Sequence, residues 1–196
     1  MLGWALLVLG AACSDTGPTT AEGMTSLPTL PPQTSTTGPF DLPEVIDAAY
    51  VERVLNGLNE VEGDVLRILM ESRSYTEEAD GRLRAIYDND DSFDNAVAAY
   101  IEDLQEQFLG IKPGPGNIRI QVLEILSTED SCVFVEVEKN LSDTALDPIT
   151  LDNWIAIVPL EASKDPFGLN PTGWAYIYNG SSGGERPAID PCEFRR

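Results

Sequence analysis

Histidine is absent from all 196 residues, and this absence removes a large part of ordinary protein chemistry. Without an imidazole there is no Ser/His/Asp or Cys/His nucleophilic system, no His-ligated zinc centre and no His proton shuttle. Any catalysis would have to run on carboxylates, tyrosine or lysine. Basic residues are also scarce: 12 Lys and Arg stand against 33 Asp and Glu, a formal net charge of −21. Nucleic acid and anionic bilayer surfaces both select a positive patch, so neither is expected as a partner. Acidity of this kind reads first as a solubility device. Cysteine is limited to Cys13, Cys132 and Cys192, with no CxxC spacing, so no metal and no cofactor is expected. The glycines of Gly110 to Gly116 are interleaved with prolines and lead into a strand, which is not the context of a phosphate loop or a dinucleotide fingerprint.

What is present begins with an apolar run, Leu2 to Leu9, closed by the small residues Gly10, Ala11 and Ala12 and then by Cys13. The run is too short for a stable membrane span, and small residues before a cleavage point suit a signal peptidase pocket. The segment resembles a bacterial lipoprotein signal, although Gly10 stands where that signal usually has Leu. The resemblance implies lipidation of Cys13 and a mature chain held on the outer face of the cytoplasmic membrane. Residues 14–40 are Thr, Pro, Ser and Gly with scattered small apolar residues, a composition that does not offset its ordering entropy and reads as a tether.

Residues 41–196 are long enough for one domain with a single core. With Cys13 assigned to lipid, Cys132 and Cys192 form an even pair in an oxidising compartment, and a bridge between them would staple the C-terminal tail to a strand. Two sequons, at Asn140 and Asn179, are read as turn residues.

The first half of the domain carries helical periods. Ile46, Tyr50, Val54, Leu58, Val61, Val65 and Leu69 fall on one stripe, with Glu52, Asn59, Glu62 and Arg73 largely off it. A capping box at Asp41 to Glu44 is expected to start this helix, and Gly57 and Gly63 mark a bend or a close contact. A second helix is expected over Thr76 to Tyr87, with Ala79, Leu83 and Ile86 inward, and a third over Ser92 to Leu109, with Phe93, Val97, Tyr100, Ile101, Leu104 and Phe108 inward. The acidic stretch Asp88 to Asp94 does not fit a calcium loop: Phe93 and Ala99 stand where Gly and Glu are required. It reads instead as a turn capping the third helix.

After Lys112 to Gly116 the period becomes two. Ile118, Ile120 and Val122 alternate with polar residues, and Leu123 and Ile125 continue in the opposite phase, the mark of a bulge. Val133, Val135 and Val137 form a second strand, Trp154 to Leu160 a third and Trp174 to Tyr178 a fourth, with Trp174, Tyr176 and Tyr178 on one face. The expected fold is α+β, with three N-terminal helices packed on a curved four-stranded antiparallel sheet. This order of elements, over Asp41 to Tyr178, resembles the nuclear transport factor 2-like cone of the ketosteroid isomerases. One departure is that no short strand is apparent between the second and third helices; the alternative is a cystatin-like layer of helix on sheet. The cone resemblance implies a pocket between helix and concave sheet, with Tyr50, Tyr100, Phe134, Trp154 and Tyr176 as candidate lining. Two functions follow as expectations: a non-catalytic envelope domain binding a small apolar ligand or a protein partner, or a carboxylate-dependent isomerase or hydrolase-like enzyme with a Tyr proton donor.

Overall fold

The computed structural model describes residues 40–129, 131–180 and 185–195. Cys13, the signal-like segment and the tether up to residue 39 lie outside the described residues. Phe40, placed in the tether by its composition, belongs to the folded domain: its carbonyl accepts a hydrogen bond from the Tyr50 hydroxyl and its ring packs on the core.

Helix α1 spans Ala48–Ser72. Its N-cap is Asp47, whose carboxylate accepts from the Tyr50 amide at 2.7 Å, and not Asp41. Leu42 and Val45 are exposed, so the buried period begins only at Tyr50 and the helix starts just before it. The predicted stripe is buried from Tyr50 to Leu69, but Val51, Leu55, Leu66 and Asn59 are buried too. The helix is therefore enclosed on much of its circumference. Gly57 and Gly63 both stand at close contacts: a Cβ at Gly57 would lie 2.6 Å from Thr172 Cγ2, and one at Gly63 would lie closer still to Asn117 Oδ1.

Helix α2 spans Glu77–Arg84, capped by Thr76, with acidic residues in its first turn and Arg82 and Arg84 in its last, as the helix dipole favours. It ends before Tyr87, because Tyr87 leaves the helix to make a single parallel bridge with Tyr176. That bridge occupies the position where the sequence shows no strand. Helix α3 spans Asp90–Gln105, with Asn89 as N-cap and Asp90 and Asp91 in the first turn. Gln107 and Phe108 take left-handed backbone, so Phe108 reaches the core from beyond the helix. Ile101, expected inward, is exposed; α3 turns only its narrow Phe93, Val97, Tyr100 and Leu104 side to the core.

Strands β1 (Arg119–Glu129), β2 (Cys132–Asn140), β3 (Thr150–Pro159) and β4 (Trp174–Asn179) form an antiparallel sheet in that order. The fold is the expected α+β cone, three helices on a curved four-stranded sheet that does not close. Register shifts interrupt β1 after Val122 and again after Ile125, and bulges bend a strand and increase its twist. The first shift returns Ile125 to the helix side and leaves Leu123, the extra residue, 48% exposed. A further shift against β3 leaves Ile177 unpaired between Tyr176 and Tyr178. Tyr178 consequently packs on the opposite face from Trp174 and Tyr176, correcting the expectation that all three share one.

The edge of β1 is closed by side chains of α1. Asn56 donates to the Ile120 carbonyl at 2.8 Å and accepts from the Ile120 amide at 3.0 Å. Glu52 accepts from the Val122 amide at 3.1 Å, and Asn59 donates to the Ile118 carbonyl. This explains why Asn59 is buried despite lying off the predicted apolar stripe, and it blocks a strand edge that could otherwise pair with another chain. On the outer sheet face, Phe134, Ala156 and Val158 form a second small core. Cys192 in the short 3-10 turn Pro191–Arg195 is bridged to Cys132, with Cα atoms 5.6 Å apart.

Candidate functional site

The inner sheet face is apolar toward the start of β2, where Val133 and Val135 belong to the core shared with the helices, and polar toward its end. Strand alternation carries Val133, Val135 and Val137 on to Lys139 on the same face, and Ile157 and Ile155 on to Asn153. Asn179 pairs with Ile155 from β4. These three polar side chains lie under the middle of α1, where the helix contributes Glu62. Tyr87 comes from the bridge residue after α2, Tyr100 from α3 and Tyr176 from β4.

The groups are linked in a chain. The Tyr87 hydroxyl donates to Glu62 Oε1 at 2.7 Å. Asn179 Nδ2 donates to the Tyr87 hydroxyl at 3.4 Å, while Asn179 Oδ1 accepts from Lys139 Nζ at 2.8 Å and from Asn153 Nδ2 at 3.4 Å. Glu62 and Lys139 interact through space, but the bonded path between them runs through Tyr87 and Asn179. The Tyr100 hydroxyl donates to the Glu62 carbonyl at 3.3 Å. The Tyr87 and Tyr176 rings are tilted against one another with centroids 5.3 Å apart. The Tyr176 hydroxyl is fully buried and has no hydrogen-bond partner among the described residues.

Burial dominates the electrostatics. It raises the Glu62 carboxyl, against the opposing pull of the Lys139 charge and the Tyr87 hydrogen bond. It lowers the Lys139 ammonium, which the Glu62 charge partly restores. Tyr87, Tyr100 and Tyr176 are all pushed well up by burial, with the Glu62 charge adding to each. Two ionisable groups of opposite sign, moved toward their neutral forms inside one hydrogen-bonded cluster, can hold or transfer a proton and can orient a small polar group. Glu62, Tyr100 and Asn179 keep partial exposure, so the cluster borders solvent.

The five aromatic candidates do not converge. Tyr100 and Tyr176 belong to the cluster. Tyr50 lies three helical turns along α1, where its hydroxyl accepts from the Trp174 indole at 2.8 Å and its ring meets Trp174 edge-on at 6.2 Å. Phe134 and Trp154 sit on the outer sheet face, because they fall in the alternate phase of β2 and β3. Trp174 and Tyr176 are buried under the helices, so that strand is not an exposed aromatic patch. Glu62, Tyr87, Lys139, Asn153 and Asn179 were missed. For Glu62 a signal existed: it lies four residues after Leu58 and four before Leu66, both buried, so a carboxylate occupies a core step of the helix. Asn179 is a strand end holding Lys139, not a turn residue, whereas Asn140 does make a turn, accepting from the Ser142 amide at 2.9 Å.

A separate surface groove of about 490 Å³ runs between the start of α3, β4 and the C-terminal tail, lined in part by Asn89, Asp91, Ile177, Tyr178 and Ile189. Among the described residues no group of three or more Cys, Asp or Glu is placed to hold a metal ion, and no helix is long and apolar enough to cross a membrane. Comparison with protein-family models, curated proteins and solved structures finds no match for the chain.

Proposed function

We propose that this chain is an exported lipoprotein, held by lipid on Cys13 to the outer face of a bacterial cytoplasmic membrane, whose domain binds a small, largely apolar ligand beneath α1. The polar cluster around Glu62 receives the ligand's one polar group, and the Val137 and Ile155 side of the inner face meets its apolar part. The observation that carries the reading is the buried, unpartnered Tyr176 hydroxyl within reach of the Glu62 charge. A buried hydroxyl without a partner is costly in a finished core and is suited to a ligand acceptor. Burial of Trp174 and Tyr176 favours a small ligand over a protein docked on that strand. The cone architecture, similar in outline to nuclear transport factor 2-like domains, suits such a site.

Native mass spectrometry of the full chain extracted from its own membranes tests the ligand. A small-molecule mass that disappears with Tyr176→Phe or Lys139→Met supports it. A ligand-free protein with no response to a small-molecule panel in tyrosine and lysine NMR signals overturns it. For the anchor, Cys13→Ala should abolish membrane fractionation and the lipid mass; an unchanged membrane fraction and mass would reject it.

A second reading rests on the raised Glu62 carboxyl bonded to Tyr87. With such a pair Glu62 could serve as general acid or base on the bound molecule. Glu62→Gln should then retain binding of the co-purified molecule while abolishing its turnover.

A further inference from the structure

Lys139, near the end of β2, is only 8% exposed, and its one side-chain hydrogen bond among the described residues runs from Nζ to Asn179 Oδ1 at 2.8 Å. The amide carbon of Asn179 stands one bond behind that oxygen, so amine and carbon are no more than about 4 Å apart. The other two atoms of this amide are occupied as well. Asn153 Nδ2 donates to Oδ1 at 3.4 Å, and Nδ2 donates at 3.4 Å to the Tyr87 hydroxyl, itself bonded to Glu62. An amine, a carbonyl carbon, a donor on the carbonyl oxygen and a hydroxyl on the amide nitrogen are the parts of an acyl transfer. Burial supports the chemistry, since it lowers the Lys139 ammonium toward the nucleophilic amine and raises Glu62 toward the acid.

We infer that Lys139 and Asn179 join in an intramolecular isopeptide bond. Nζ of the neutral lysine attacks Cγ of Asn179, and the charge that gathers on Oδ1 is met by Asn153. The Cγ–Nδ2 bond breaks as Nδ2 takes the Tyr87 hydroxyl proton, which Glu62 replaces, and the surplus proton on Nζ returns to the Glu62 carboxylate. One amide forms, one is lost, and the nitrogen departs as ammonia; no oxidant, metal or ligand enters. Asn179 is only partly buried, which leaves the ammonia a way out. Tyr87 and Asn153 touch reacting atoms, whereas Glu62 is a positioning residue that acts through Tyr87. The bond exchanges a buried cation for a neutral amide. It ties β2 to β4 across β3, between residues 40 apart in sequence. The structure shows the pair before the bond forms, and the titration of Lys139 belongs to that unlinked chain.

Mass spectrometry of a reduced tryptic digest of the full chain tests this. Lys139 should resist cleavage, and its segment should appear in one branched peptide with the segment carrying Asn179, lighter than the two together by one ammonia. Asn179 precedes Gly180, and cyclisation of that pair to a succinimide would lose the same ammonia. Cleavage at Lys139 with that loss, or two unlinked peptides of sequence mass, overturns the inference. Asn179→Asp should give the same branched peptide with loss of water in place of ammonia, and Lys139→Met should abolish it. Glu62→Gln, folded by circular dichroism and with its Cys132–Cys192 bridge intact, should lower the linked fraction by about tenfold or more, with part of it recovered in Glu62→Asp. An undiminished linked fraction in Glu62→Gln would overturn the proton route through Tyr87. If a variant fails to fold, the wild-type digest decides alone.

Discussion

At the scale of single residues, the buried hydroxyls divide by whether they have a partner. Tyr87 donates to Glu62 at 2.7 Å, while Tyr176 has no partner among the described residues. Tyr87→Phe should therefore cost about 1–3 kcal/mol, since it leaves a buried carboxylate without its donor. Tyr176→Phe should leave the unfolding free energy unchanged or raise it by about 1 kcal/mol, because it deletes a polar group that gains nothing in the free protein. Urea unfolding of both variants separates the two; equal losses would contradict the assignment. Glu62 makes a second prediction. Its folded carboxyl is raised above the ordinary value of 4.5 by burial, so the folded state holds the proton more tightly than the unfolded chain. The associated stability is present at acid pH and is lost as pH rises from about 4.5 through the raised value. Asp103 is raised as well, by burial and by Glu106 and Glu102, so the test is a difference: Glu62→Gln should gain stability relative to wild type as pH rises through this window. A pH-independent difference between the two proteins would show that Glu62 titrates normally. Lys139 acts at the other end, its lowered ammonium costing stability that is recovered as pH climbs toward 10.5.

At the scale of elements, the contact of α1 with the edge of β1 is made by polar side chains as well as by apolar packing. Asn56 alone satisfies both the amide and the carbonyl of Ile120. Asn56→Leu should cost about 2–4 kcal/mol, from two backbone groups left without partners, and should speed amide hydrogen exchange along β1. Glu60→Ala on the exposed side of the same helix should stay within about 0.5 kcal/mol; a similar loss at both positions would remove the edge-capping role. The apolar stripe of α1 was legible because helical period and burial coincide at Tyr50, Val54, Leu58 and Leu69. The polar contacts with β1 were not, because the Asn56 partner lies 64 residues away and periodicity carries no information about which backbone groups a distant strand leaves open. The first bulge of β1 was legible as a change of phase, but the phase alone assigned Leu123 to the core. The extra residue of a bulge is unpaired and splays outward, and Leu123 is exposed for that reason.

At the scale of the whole molecule, one covalent bond holds the tail against the outer sheet face. Cys132 and Cys192 are 60 residues apart, and closing a loop of this size in the unfolded chain corresponds to about 4 kcal/mol in the chain-entropy model. Cys132→Ser with Cys192→Ser should lower the unfolding free energy by about 2–4 kcal/mol. It should also increase exchange and protease access in the tail and at Phe134, while the inner-face cluster around Glu62 keeps its tyrosine NMR signals. Loss of those signals would show that the outer face and the inner site are one cooperative unit.

The linear pattern by itself determined the element types and their order and the absence of imidazole chemistry, whereas the pairing of Cys132 with Cys192, expected from residue counts once Cys13 was set aside, is seen in the tertiary structure. The first two depend on local period or on a residue type that is simply missing. Only the tertiary structure decided which polar residues meet. Glu62, Tyr87, Tyr100, Lys139, Asn179 and Tyr176 come from two helices, a bridge residue and two strands. Their meeting depends on how far β2 runs beyond its apolar residues and on the bulge that turns Tyr178 away while leaving Tyr176 inside. Strand phase sent Phe134 and Trp154 to the opposite face. The face each phase presents is set by packing against α1, a long-range contact that no window of neighbouring residues contains.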